Sequence, residues 1–255
     1  MYFRDTVTAL GYILALLIGL SLGLLGGGGS ILTIPILHHV MGYDVKHAIP
    51  MSLVIVGITS GVGSIAHWRA GTVRLQTAFA FGVPAIVGAV LGADLGLRVS
   101  GELQLTVFAI VMIAASASML LSGIRKAPRA EPEHRRKAIP FITLIGGAVG
   151  LLTGFVGVGG GFLYVPALTV LGGLPIKQAV GTSLVLILLS CTAGVARYQG
   201  NVVLDWPAIA LFTAIALIGV AGGTRLVRFV SQTELRHAFG VFVLVIGALV
   251  LFVGR

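Results

Sequence analysis

Charge is scarce in this sequence. Only 8 acidic and 17 basic side chains occur among 255 residues, so charged residues make up 10% of the chain while 57% of it is hydrophobic. A soluble domain carries about a quarter charged residues, so this chain cannot coat a water-facing surface with charge. Intrinsic disorder is excluded too, because it needs low hydrophobicity. The single cysteine, Cys191, forbids an intrachain disulfide, and its place in an apolar run suits a small packed side chain. Aromatic residues are few, at 7%, whereas glycine is abundant at 37 residues. Few rings and many glycines fit a polytopic helical membrane protein whose helices approach closely. Enzyme signatures are missing: His-Glu-x-x-His, Gly-x-Ser-x-Gly and metal-spaced cysteine pairs do not occur. The glycine clusters lack the Gly-Lys-Ser/Thr ending and the strand–helix context of a nucleotide loop. Neither an enzyme nor a cofactor or metal is expected.

The charge that is present is lopsided, at +9. In a soluble protein that would suggest nucleic acid. Here the basic residues fall between apolar runs, so their first role is to orient the chain and to meet anionic lipid headgroups. Only a small share is left for an anionic substrate.

Apolar stretches fall at about 7–25, 48–66, 76–97, 104–123, 139–157, 179–196, 206–224 and 237–254. Each approaches the ~20 residues that cross the hydrocarbon as a helix. Two shorter pieces, about 31–41 and 162–171, follow glycine clusters. A polar, proline-containing basic segment lies mid-chain, Arg125-Lys-Ala-Pro-Arg-Ala-Glu-Pro-Glu-His-Arg-Arg-Lys137. It reads as a cytoplasmic linker. The expected organisation is a first transmembrane repeat over 1–124, the linker over 125–138 and a second repeat over 139–255.

The repeat is visible at an offset of 131. Gly23-Leu-Leu-Gly-Gly-Gly-Gly-Ser-Ile-Leu-Thr-Ile-Pro35 aligns with Gly154-Phe-Val-Gly-Val-Gly-Gly-Gly-Phe-Leu-Tyr-Val-Pro166 without a gap. Gly42, Lys46 and Ala48 then meet Gly173, Lys177 and Ala179, and 12 of the 31 positions from 23 to 53 are identical. Because residues 7–25 recur internally, they belong to the fold and are not a signal peptide. If 7–41 crosses once, the repeats are parallel. If it is a helical hairpin, they are inverted. Lys/Arg counts of 11 against 6, or 12 against 5, barely separate the two. Thirty-odd residues are too many for one crossing, which favours inversion. The expected fold is therefore all-α and polytopic, with two homologous halves as inverted repeats. Each half holds a glycine-interrupted hairpin plus three spanning helices.

The glycine breaks are the strongest candidates for chemistry. Gly27, Gly28 and Gly29 with Ser30, and Gly159, Gly160 and Gly161, interrupt helices at membrane depth. Bare backbone there must be buried in protein or line an aqueous cavity. Short helices starting at Ser30 and Phe162 would present free N–H groups to an anion. The glycines also serve a tight hairpin and close packing. Pro35 and Pro166 read as kinks or early-helix residues. Ser52, Thr182 and Ser183, near the starts of the next spans, could donate to anion oxygens or bond to backbone. His67 and Arg69, with Arg197 and Tyr198 in the second half, close those spans. Such residues usually anchor at the interface, and here they could also form an anion-attracting vestibule with His67 as a proton-linked group. Lys46 and Lys177 could assist, although loop lysines are mostly solvated. Asp94 with Arg98 reads as an interfacial ion pair.

The segment 23–35, its copy at 154–166, Gly181-Thr-Ser-Leu184 and Gly200-Asn-Val202 together resemble the sulfite exporter TauE/SafE family of membrane permeases. The resemblance covers essentially the whole chain. The first half departs from the second where Ile49-Pro-Met-Ser52 stands against Val180-Gly-Thr-Ser183, so the two half-sites differ chemically. The resemblance implies transport of small sulfur-containing anions such as sulfite, sulfoacetate or other sulfonates, across the plasma (cell inner) membrane. The reading is an alternating-access secondary transporter, an exporter in direction, driven by an ion gradient with protons as the first candidate. A passive channel or facilitator and a membrane scaffold stay open as alternatives. The expected partners are the small anion and the bilayer, with no nucleic acid. A homodimer is left open.

Overall fold

A computed structural model of the chain describes residues 2–96, 98–122, 132–156, 161–198 and 204–253. Among these residues there is helix and no strand. In order, the helices are α1 (Tyr2–Leu25), α2 (Gly28–Pro35), α3 (Val45–Arg69), α4 (Leu75–Gly96), α5 (Gly101–Ser122), α6 (Pro132–Val156), α7 (Gly161–Pro166), α8 (Ile176–Tyr198), α9 (Trp206–Leu226) and α10 (Gln232–Val253). Helix closes every backbone hydrogen bond within its own segment, which hydrocarbon demands. Among the described residues, four stretches are long and apolar enough to cross a membrane: His47–Arg69, Leu75–Gly96, Ile176–Ala196 and Trp206–Leu226. Shorter apolar stretches occupy Leu10–Leu25, Ile31–Val40, Ala109–Leu121 and Thr143–Phe155. The chain is an integral membrane protein.

The short helices begin inside the glycine clusters, at Gly28 and Gly161, slightly earlier than Ser30 and Phe162. α2 folds back along α1. Gly29 lies against Ile18 and Leu22, and the Met41 side chain reaches Gly11. Pro35 and Pro166 end the α-helical parts, and the chain continues as π-helical turns over Ile36–Val40 and Ala167–Leu171. Proline supplies no N–H and crowds the preceding carbonyl, so the next turn opens to a wider spacing. Met41 N–H accordingly donates to Ile36 O at 2.9 Å, and Gly172 N–H to Ala167 O at 2.9 Å. Both turns close the same way, with Tyr43 N–H on Leu37 O and Leu174 N–H on Leu168 O, each at 3.0 Å. The residues between, Gly42 and Gly173, have φ of +78° and +66°, the left-handed cap that glycine adopts without strain.

Two glycine seams hold the bundle together. A Cβ on Gly88 or Gly92 of α4 would strike the carbonyl oxygens of Gly147 or Leu151 in α6, and one on Gly150 or Gly154 those of Ala85 or Ala89. Between α1 and α9, Gly219 and Gly223 meet Leu16 O and Leu20 O, while Gly19 and Gly23 meet Ala216 O and Val220 O. Backbone lies directly on backbone in both seams, and within each seam the two helices run parallel. α3 and α8 cross antiparallel, with Gly57 against Cys191 and Gly63 against Leu184. α5 and α10 are also antiparallel, with Gly240 on Leu120 and Gly247 on Met112. The core lies around α8, where Val180, Leu184 and Ile187 are fully buried. Phe81 meets Tyr164 edge to face beside it, at 5.6 Å.

Candidate functional site

The ends of α3 and α9 meet the starts of α4 and α8 at one end of the bundle, and a cavity of about 710 Å³ opens between them. Val62, Ala66, Val220, Ala221 and Val227 form its apolar walls. Its polar lining comprises His67, Arg69, Thr72, Lys177, Thr224, Arg225 and Arg228. Four of these carry fixed positive charge, and no lining residue is Asp or Glu. A concave site of one sign with low-dielectric walls concentrates field lines and attracts anions.

His67 stands at the inner edge of the cavity and is only 3% exposed. Its Nδ1 lies 2.9 Å from Thr72 Oγ1, and its Nε2 lies 3.4 Å from Gly23 O at the end of α1. Thr72 Oγ1 also approaches His67 O at 2.9 Å. Both ring nitrogens thus face oxygen. A neutral ring either carries its proton on Nε2 and accepts the Thr72 hydroxyl at Nδ1, or carries it on Nδ1 and donates to Thr72 Oγ1, whose own proton then goes to His67 O. An imidazolium donates from both nitrogens and leaves Thr72 to its backbone bond. Gly181 of α8 permits this approach, because a Cβ there would stand 2.8 Å from Thr72 Oγ1 and 3.1 Å from His67 Cβ. Next to it, buried Thr182 accepts Arg74 N–H at 3.0 Å, and Arg74 Nε donates to Gln178 Oε1 at 3.0 Å. The α3–α4 loop is therefore pinned to the start of α8.

The first glycine break lies behind this cluster. Gly26 turns the chain at φ +74°. Ser183, completely buried, donates to Gly26 O at 2.9 Å, with Val180 O at 2.8 Å as its second acceptor. Gly27 and Gly29 are buried, Gly28 opens α2, and Gly161 is buried at the start of α7. Ser52 is buried in α3. Of the anticipated residues, His67, Arg69 and Lys177 meet in the cavity, with Thr182, Ser183 and the Gly26–Gly27 turn packed behind them, and the Lys46 side chain lies outside the described residues. The hydroxyls of Thr182 and Ser183 hold backbone together and do not line the cavity. Gly29 faces α1. Gly159 and Gly160, and the side chains of Ser30, Arg197 and Tyr198, lie outside the described residues.

The sequence reading passed over Thr72, Thr224, Arg225 and Arg228. Arg225 lies in the last turn of α9 and Arg228 in the turn that follows, its N–H on Arg225 O at 3.3 Å, and both resemble ordinary interface anchors until α9 is packed against α3. At the opposite end, Tyr43 Oη donates to Asp205 Oδ2 at 2.7 Å, and Asp205 caps α9 by accepting Ala208 N–H at 3.1 Å. Burial, then the adjoining carboxylate, raises the Tyr43 phenol above its ordinary value. The Tyr43 and Ala208 hydrogen bonds lower the Asp205 carboxyl below its own.

Known proteins resemble this chain along most of its length. A protein of Xylella fastidiosa strain Temecula1 named "Probable membrane transporter protein" is 33% identical over 242 residues, 92% of each chain. The "Probable membrane transporter protein YdhB" of Bacillus subtilis is 24% identical over 238 residues, 92% of this chain and 97% of its own. A "Probable membrane transporter protein" of Haemophilus influenzae is 30% identical over 176 residues, 66% of this chain and 64% of its own. The model of the family described as "Sulfite exporter TauE/SafE" matches residues 11–250, and with the helical membrane architecture this places the chain in that family of membrane transporters.

Proposed function

We propose that this transporter carries small sulfur-containing anions, sulfite, sulfoacetate or other sulfonates, out of the cell by alternating access. The observation that carries the reading is the cavity itself, with Arg69, Lys177, Arg225 and Arg228 in its lining and no acidic side chain among them. A sulfonate spreads charge over several oxygens, which suits several separated cations and hydroxyls. The charges stand at the cavity mouth, where water keeps their desolvation cost low.

The reading includes two inverted repeats. Its support is the equivalence of the seams: Gly88 on Gly147 and Gly92 on Leu151 become Gly219 on Leu16 and Gly223 on Leu20 when 131 is added to one partner and subtracted from the other. The return of α2 along α1 supports a hairpin in the first half, and hence an odd number of crossings. α4 and α6 run parallel, so the cavity lies at the end of the bundle from which α6 starts, where the basic linker precedes it. With that linker in the cytoplasm of a plasma-membrane protein, the cavity loads from inside, as export requires. The two halves would rock about the α3–α8 crossing. His67, bonded to both the α3–α4 loop and the end of α1, is the group through which a proton gradient would act.

Counterflow in proteoliposomes tests this, with sulfite, sulfoacetate, taurine, sulfate and lactate inside, and with and without a pH gradient. Saturable, trans-stimulated exchange of a sulfur oxyanion is the expected result. Passive conduction would make the protein a channel, and absence of flux for all five in folded protein would sink the proposal.

A further inference from the structure

Ser60 and Thr213 are the two buried hydroxyls without a hydrogen-bond partner among the described residues. Ser60 is 0% exposed and Thr213 6% exposed. Neighbouring hydroxyls behave differently. Thr59 bonds Ile55 O at 2.7 Å, Ser64 bonds Gly61 O at 2.7 Å, and Thr224 bonds Val220 O at 2.9 Å. Bonding back into the preceding turn is thus the habit of these helices, and Ser60 and Thr213 depart from it.

Their positions relate them to the cavity. Ser60 stands seven residues before His67 and Thr213 seven before Val220, and seven residues are close to two helical turns, so each hydroxyl lies on the same face as a cavity-lining residue, about 10 Å deeper. Gly63 lies between Ser60 and His67 in that column. A Cβ on it would meet Leu184 Cδ1 at 3.2 Å and Val220 Cγ1 at 3.4 Å. Leu184 and Val220 therefore close over the bare backbone of Gly63, which stands about one turn from Ser60 and about one turn from His67 along α3.

We infer that Ser60 and Thr213 form a second, deeper binding station for an oxyanion, separated from the basic cavity by a Gly63–Leu184–Val220 plug. The inference rests on the proposed substrate class and extends it with an inner site. The outer cavity attracts the anion by charge. The inner station holds it by hydroxyl donors alone, so that it is released without having to leave a fixed cation. The two hydroxyls lack partners because their partner is the passing ligand. The plug moves when α3 and α8 shift past one another, and Gly63 supplies the clearance.

The experiment uses Ser60→Ala and Thr213→Val in counterflow with radiolabelled sulfite and sulfoacetate, alongside thermal unfolding. No native hydrogen bond is lost, so the expected thermal midpoint is unchanged or higher, while the half-saturating anion concentration rises about tenfold or more. Exchange kinetics equal to those of the parent in both variants would overturn the inference. A second measurement does not depend on flux: Ser60→Cys is treated with 2-sulfonatoethyl methanethiosulfonate and with its trimethylammonium counterpart, the parent with Cys191 serving as blank. Faster modification by the anionic reagent, slowed by sulfoacetate, is expected, and an unreactive Cys at position 60 would overturn the inner station. If the parent exchanges no anion but position 60 labels rapidly, the substrate class fails and the path stands.

Discussion

Gly26 shows how one residue fixes the geometry behind the cavity. Its φ of +74° favours glycine, and a Cβ there would also stand 2.8 Å from Val180 Cα and 2.9 Å from Ser183 Oγ. Gly26→Ala therefore combines an unfavourable backbone conformation, worth about 1–2 kcal/mol, with a collision against α8. The expected result is a lower thermal midpoint and less monodisperse protein on gel filtration. Asp205 gives a prediction of a different kind. Its carboxyl is depressed by the Tyr43 and Ala208 hydrogen bonds, so its contribution is complete above the unfolded carboxylate range, near pH 4. It fades as pH drops through the folded value. Asp205→Ala should cost about 1 kcal/mol at neutral pH, as lost helix caps do, and should flatten the acid limb of a thermal-midpoint profile between pH 3 and 7. At this scale the sequence was only partly legible. The recurrence of serine at 52 and 183 marked a position that matters, yet Ser183 proves to hold a carbonyl of the glycine turn. Ser60 looks like any helical serine until its neighbours are seen to be paired and it is not.

Among the helices, the seams decide which glycines are indispensable. Gly222 and Gly223 are adjacent in α9, but a Cβ on Gly222 would meet only Leu20 Cδ1 at 3.7 Å, whereas one on Gly223 would enter Leu20 O. Gly222→Ala should be tolerated or mildly stabilising, since alanine is favoured over glycine within a helix by up to about 1 kcal/mol. Gly223→Ala should push α9 from α1 and lower both yield and thermal midpoint. The sequence disclosed the elements well, because hydrocarbon permits little besides helix and the apolar runs are long. The repeat offset of 131 read from the sequence also sets Gly88 and Gly92 against Gly219 and Gly223. It could not say which helices those glycines would face, since a small residue records a close approach without naming the partner. Likewise Pro35 and Pro166 announced an irregularity, while the π-helical form of the turns came only with the structure.

For the molecule as a whole, the cavity's charge sets the response to salt. If cations at the mouth gather the substrate, raising ionic strength should increase the half-saturating anion concentration in counterflow, because the Debye length contracts from about 10 Å at 0.1 M to 3 Å at 1 M. Arg225→Gln combined with Arg228→Gln should produce a similar increase at low salt and blunt the salt dependence that remains. A salt-insensitive half-saturation in the parent would remove charge steering from the mechanism. The four cations of this cavity come from the end of α3, the start of α8, the end of α9 and the turn after it, spread over more than 150 residues of the chain. That separation hid the site from sequence inspection, where each cation looks like a topology marker for its own helix.

The α1–α9 seam has a consequence for how the protein is made. Gly19 and Gly23 wait for Ala216 and Val220, roughly two hundred residues downstream. At ~5–20 residues per second of synthesis, α1 spends some tens of seconds with its glycine face uncovered after leaving the ribosome. α4 meets α6 sooner. The first half therefore cannot mature alone, and a nascent chain arrested before α9 presents an unclosed backbone groove to whatever surveillance the membrane provides.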